Sequence, residues 1–328
     1  MITIKENKKT KKKLKEEDKK LTYEILKELN IGDTSSNEED IEKEEVKVNR
    51  KKILFLRKEF VYLFLVLFVI FGGYSGARIL LWSNDARSTE KQIEKINNEV
   101  NVEEVKDTSE TIIVNPPKEE KVQRENPYWD YIKMNLINVD FSKLKSINSD
   151  TVGWIKVNGT NINYPFVQTN DNTYYLKKDF NKKYNSAGWV FMDYRNSVKD
   201  FDKNTILYAH GRVDGTMFGS LKNITKSNWY NNSDNHVVKL STEYENTLWQ
   251  VFSIYRIPET SDYLDIDFNN NEEYVKFLEM LQNRSEYKFD VSLNEEDKIL
   301  TLSTCYKEND RVVLHAKLIK MEVRNGNN

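Results

Sequence analysis

Ile299-Leu300-Thr301-Leu302-Ser303-Thr304-Cys305, and after five further residues Arg311-Val312-Val313-Leu314-His315-Ala316-Lys317-Leu318, form two apolar alternating runs. Alternation over such lengths has the period of a β-strand, in which successive side chains point to opposite faces. Cys305 closes the first run and is the one cysteine in 328 residues. It has no partner for an internal disulfide, and an isolated cysteine behaves by default as a small buried hydrophobe. Arg311 opens the second run, where an arginine would ordinarily be a surface cation.

Short alternating segments of the same kind recur upstream. They are Gly153 to Val157, Ile162 to Val167, Gly188 to Asp193, Asn204 to His210, His236 to Thr242 and Thr247 to Ile257, joined by Lys298 to Cys305 and Arg311 to Val323. Eight strands at this spacing predict an antiparallel barrel or sandwich, so the fold is mostly β. Ahead of them, Pro127 to Ile132 reads as an amphipathic helical stretch and Asp140 to Lys145 as a second helix or turn. In the connection from Pro258 to Asp297, Tyr274, Phe277, Leu278 and Leu281 recur at helical spacing and predict a helix packed on the strands.

The N-terminal third has a different texture. Residues 1–52 hold a lysine-rich block, Lys8 to Lys20, and an acidic block, Asp33 to Glu45, which read as a solvated cytoplasmic tail with a short helix around Leu21 to Leu29. Phe60 to Ala77 is an uncharged run, and as a helix it would reach about 27 Å, close to the apolar thickness of a bilayer. Residues 53–81 are therefore expected to be a transmembrane signal anchor. Arg50, Lys51, Lys52, Arg57 and Lys58 crowd its N-terminal side, which places the N-terminus in the cytoplasm and the rest of the chain outside, on a single-pass topology. Residues 82–125, polar and carrying Pro116-Pro117, read as an extracellular stalk, and residues 126–328 as the catalytic domain.

Composition narrows the function. With 50 basic and 52 acidic residues the chain has no phosphate-seeking charge, and nucleic acid is not an expected partner. A second cysteine, a histidine pair at ligand spacing and an acidic calcium loop are all missing from the sequence, so neither metal nor cofactor is predicted.

Acyl transfer through a thioester needs a thiolate nucleophile, a proton donor for the departing amine and a donor to the oxyanion. Cys305 is the only thiol available. His210, His236 and His315 are the candidate acid/base groups: His210 follows an apolar strand and precedes Gly211, His315 shares strand parity with Arg311, and His236 sits among Asn and Ser as an expected exposed residue. Thr301 to Cys305, Arg311 to Leu318, and Asn204-Thr205-Ile206-Leu207-Tyr208-Ala209-His210-Gly211 together resemble the active-site segments of sortases. The N-terminal helices and the helix before the cysteine strand resemble class B in particular, over about residues 126–323. The connection from Tyr306 to Asp310 is shorter than that resemblance leads one to expect.

The resemblance implies an eight-stranded sortase-type β-barrel and a membrane-anchored cysteine transpeptidase. It further implies that Cys305 is the nucleophile, His210 the acid/base and Arg311 the oxyanion donor, with Ser303, Tyr263 and Leu264 lining a groove for a sorting signal. The expected partners are exported proteins bearing that signal and an amine on a peptidoglycan precursor, or in the alternative a pilin lysine. An inactive sortase-like binding module is the reading from another class.

Overall fold

The computed structural model describes residues 50–117, 126–306 and 310–324, with side chains described for these except residues 50–57, Cys305 and Tyr306. The blocks and short helix expected within residues 1–49 lie outside the described residues.

Residues Arg50–Glu99 form one helix, α1. No proline interrupts it, and its apolar part from Phe60 to Phe71 is exposed on every face, as a helix meant for a non-aqueous surround would be. The chain divides into two units between Ser75 and Gly76. Within the second unit α1 changes character: Asp85, Thr89, Gln92, Ile93, Ile96 and Val100 follow each other at helical spacing and are turned away from solvent, Thr89, Ile96 and Val100 fully so.

Eight strands close into a barrel. These are β4 (Thr151–Val157), β5 (Asn163–Val167), β6 (Phe191–Met192), β7 (Asn204–Ala209), β8 (Val237–Thr242), β9 (Glu245–Pro258), β10 (Ile299–Tyr306) and β11 (Asp310–Val323), in the order β10-β7-β6-β5-β4-β8-β9-β11, with β11 returning to β10. The eight alternating segments of the sequence are these eight strands. One expectation needs correction: the ring is mixed, because β5 runs parallel to β6 and β7 parallel to β10. Parallel neighbours need a long crossover, here residues 210–298 between β7 and β10. Leu207, Trp249, Val251, Leu300, Leu302, Val312 and Leu314 fill the interior.

The segment read as a stalk is largely folded. After α1, β1 (Val102–Val105) pairs with β3 (Leu136–Val139), and β2 (Thr111–Ile113) adds to the edge of β11. The stripe on α1 is one residue wide and half polar, so its low mean hydropathy disguised a packing face as linker. The two expected short helices are α2 (Tyr128–Tyr131) and α3 (Phe141–Ile147), and a single helical turn, α4 (Ser227–Tyr230), precedes β8.

The helix expected in the long connection is α5, Asn271–Asn283. The Asn270 side chain caps it by accepting the Glu273 N–H at 2.9 Å, while Glu273 Oε2 accepts the Asn269 N–H at 2.9 Å. Tyr274, Phe277, Leu278 and Leu281 pack on Phe252, Tyr255, Ile299 and Val313. At about 2 kcal/mol for each buried apolar side chain, this packing rather than helix propensity holds α5 in place.

At the opposite end of β9 lies a buried carboxyl with no hydrogen-bond partner for its Oε1, Glu245, only 5% exposed. Burial, together with Asp200, pushes its pKa up to about 7 in spite of Lys298. A carboxyl raised in the folded state contributes full stability below the unfolded value near 4.5 and loses it as pH rises through about 7. Glu245→Gln is therefore expected to raise unfolding free energy by on the order of 2 kcal/mol at pH 8 and to change little at pH 4.5. Guanidinium unfolding followed by tryptophan fluorescence at the two pH values checks this; an equal effect at both would show that the charge is not the cause.

Candidate active site

Three adjacent strands, β7, β10 and β11, build the candidate site. In the parallel pair Thr304 is opposite Ala209, so the next residues along, Cys305 and His210, are neighbours. In the antiparallel pair Cys305 is opposite Arg311. Residues 95 apart in sequence thus meet in one row at a single end of the barrel, while His315 sits four residues down β11 opposite Thr301.

His210 is half-buried, and its Nε2 lies 2.8 Å from the Leu176 carbonyl oxygen. A carbonyl can only accept, so Nε2 carries the proton and Nδ1 is left as the basic nitrogen. Arg311 is held by Glu259, Nη2 to Oε1 at 2.6 Å, and by a longer bond from Nη1 to its neighbour's carbonyl at Asp310 (3.3 Å). Its guanidinium has five N–H donors in one plane, so donors remain for a ligand oxygen.

Two other histidines are structural. His315 is wholly buried between the Tyr255 hydroxyl (2.8 Å) and the Thr301 hydroxyl (2.9 Å), and burial pushes its pKa down to about 3. His236 corrects an expectation of exposure: it is buried among Trp229, Tyr230 and Phe289, with Nε2–H donating to the Tyr230 carbonyl at 2.8 Å. Its polar sequence neighbours gave no hint of the aromatic residues that reach it from elsewhere.

Ser303 and Tyr263 are brought together, hydroxyl to hydroxyl at 2.9 Å, but both are buried. Leu264 beside them is half-buried, and its carbonyl accepts from Arg195 Nη2 at 3.0 Å. The loop carrying them is fixed from below by Asn204, whose Nδ2 donates to the carbonyls of Tyr263 (3.2 Å) and Asp265 (2.9 Å).

The residues that sequence reasoning missed lie along the same face. Tyr208, in strand phase with His210 and opposite Ser303, donates to Asp193 Oδ2 at 2.9 Å. Asp193 also takes two bonds from Arg195, both 2.9 Å, and one from Asn172 at 3.0 Å. Burial opposes the Asp193 charge, but the hydrogen bonds from Arg195 and Tyr208 outweigh it and keep its pKa below the usual carboxylate range. The phase of Tyr208 with His210 was visible in the sequence; the roles of Leu176, Asp193 and Glu259 depend on contacts that no local pattern encodes.

Residues 155–319, which contain all three residues of the row, match the family model of the sortase domain. The chain belongs to the sortase family. It is 38% identical to Sortase B of Staphylococcus aureus over 189 residues, 56% of this chain and 77% of that protein. Crystal structures of the Staphylococcus aureus enzyme in a substrate complex and with triglycine are each 38% identical with a TM-score of 0.52, covering 55% of this chain and 84% and 85% of theirs. A Bacillus anthracis protein described as similar to sortase B is 33% identical with a TM-score of 0.56, covering 74% of this sortase and 98% of its own chain. The match is to class B, in a family of cysteine transpeptidases.

Proposed function

We propose that this sortase is anchored in the membrane by α1, cleaves a C-terminal sorting signal after threonine, and transfers the exported protein to an amine of the cell wall. The observation that carries this reading is the register placing His210, Cys305 and Arg311 side by side at the ends of β7, β10 and β11. Support for the two substrates comes from the relative solved with a substrate and with triglycine. For the anchor, support comes from the exposed apolar helix and from the cations Arg50, Lys51, Lys52, Arg57 and Lys58 that precede it, which place the N-terminus in the cytoplasm and the barrel outside.

In this reaction the Cys305 thiolate attacks the threonyl carbonyl, and the carbonyl electrons move onto oxygen, where Arg311 donates hydrogen bonds. The carbonyl reforms as the C–N bond breaks, His210 as imidazolium giving its proton to the leaving amine. The incoming amine then attacks the thioester, its proton passes to His210, and the sulfur leaves as thiolate. The Leu176 carbonyl, by accepting from Nε2–H, leaves Nδ1 for both proton transfers.

The test is incubation of the detergent-solubilised chain with a pool of threonine-containing sorting peptides and an amine acceptor, read by intact-protein and peptide mass spectrometry. An acyl adduct of the protein and a product joined to the amine are expected. A folded protein that gives neither across the pool would support the binding-module reading instead.

A further inference from the structure

We propose that the second half of α1 positions the His210 imidazole, through a relay of hydrogen bonds ending at the Leu176 carbonyl, with Asp85 and Gly188 as the positioning residues. The proposal rests on the reading of His210 as the proton-transfer group.

The relay starts at the ring. The Leu176 oxygen sets which nitrogen of His210 holds the proton, so its position controls both the tautomer and the tilt of the imidazole. Leu176 ends a short turn, Tyr174–Leu176. The carbonyls on either side of it are tied to a second turn: Trp189 N–H donates to Tyr175 at 2.9 Å and Asn185 N–H to Lys177 at 3.1 Å.

Gly188 is the contact between the two turns. Its φ is +60°, in the left-handed region, and a Cβ there would lie 2.5 Å from the Tyr175 oxygen and 2.9 Å from the Leu176 oxygen. Any side chain would have to push the very carbonyl that His210 uses.

The second turn is in turn gripped by α1. Asp85 Oδ2 accepts from the Ser186 N–H at 3.0 Å and from its hydroxyl at 2.5 Å. Asn185 donates from Nδ2 to the Thr89 hydroxyl at 3.1 Å, both residues being buried, and its Oδ1 accepts the Ala187 N–H at 2.8 Å. A turn further along, Gln92 Oε1 accepts the Phe180 N–H at 3.3 Å. On the other side of the histidine, the Trp82 ring lies 5.3 Å from the guanidinium of Arg212, two residues after His210. One helix therefore holds both flanks of His210, far more than tethering requires.

The test uses the full chain in detergent micelles and the imidazole ¹⁵N spectrum, which three histidines keep simple, with His210 assigned by its loss in His210→Gln. The parent protein is expected to show His210 neutral with Nε2 protonated at high pH. Asp85→Ala and Gly188→Ala should each give a mixture of tautomers and lower kcat about tenfold with KM little changed. Asp85→Asn, whose amide oxygen can still accept from Ser186, should restore both. His210 resonances unmoved in Asp85→Ala and Gly188→Ala, whatever happens to Tm, would overturn the proposal. Resonances that shift with no loss of turnover would uphold the relay and overturn the assignment of His210 to proton transfer.

Discussion

Cys305→Ala is expected to abolish both the acyl adduct and the amine-joined product, and His210→Ala to slow adduct formation by ~10²–10⁴-fold, the usual weight of a positioned acid/base group. The two losses differ in kind. Without the thiol no covalent intermediate exists; without the imidazole the thiol remains, but its proton has nowhere to go and the amine must leave unprotonated. Because Cys305 is the only cysteine, intact mass reports its acylation and alkylation without interference. Quenched-flow sampling against a matched sorting peptide gives the rates. His315→Gln is the informative control: that ring is enclosed by Tyr255 and Thr301 and is neutral at every physiological pH, so its replacement should lower Tm and leave the rate per folded molecule within a few fold. If His315→Gln fell as far as His210→Ala, the assignment of the acid/base would be wrong.

Much of this site can be read from the sequence because strand alternation is a local signal. The Leu300 and Leu302 side chains enter the barrel core, while Thr301 and Ser303 face the side on which Tyr255, Tyr263 and His315 lie. That partition follows directly from a period of two. Strand neighbours are another matter. Nothing within Asn204 to Ala209 or Ile299 to Cys305 says that they lie side by side and parallel, and the antiparallel expectation failed at β5/β6 and β7/β10 for that reason. The resemblance brought His210 to Cys305; the register supplies the physical route.

The segment before the barrel shows the opposite limit. Hydropathy averaged over Ser83 to Val100 is low, yet Thr89, Ile96 and Val100 are buried, because a helix lying on a surface needs only a narrow stripe. Reading a helical period there, rather than an average, would have found the packing. It would not have found Asp85 bonding Ser186, since a polar pair separated by 101 residues leaves no mark in either local sequence.

Arg311→Ala is expected to cost ~10²–10³-fold in kcat for acyl transfer, the range seen when one donor to an oxyanion is removed. The argument is geometric. Arg311 stands opposite Cys305 in the β10/β11 register, so its guanidinium is anchored one strand away from where the tetrahedral oxygen would form. Its side chain is only 18% exposed, and one edge is already committed to Glu259. Low exposure strengthens the attraction for a developing negative charge, and the Glu259 contact fixes the plane of the fork before substrate arrives. Arg311→Lys should recover part of the loss, since a point charge remains without the second donor. Glu259→Gln separates orientation from charge balance: the amide oxygen still accepts from Arg311, so kcat should stay within about threefold, whereas Glu259→Ala should reduce it further as the fork loses its support. Steady-state kinetics of the four variants, with circular dichroism to establish folding, decide the matter. An Arg311→Ala enzyme with unchanged kcat and raised KM would make Arg311 a binding residue, acting equally on ground and transition states.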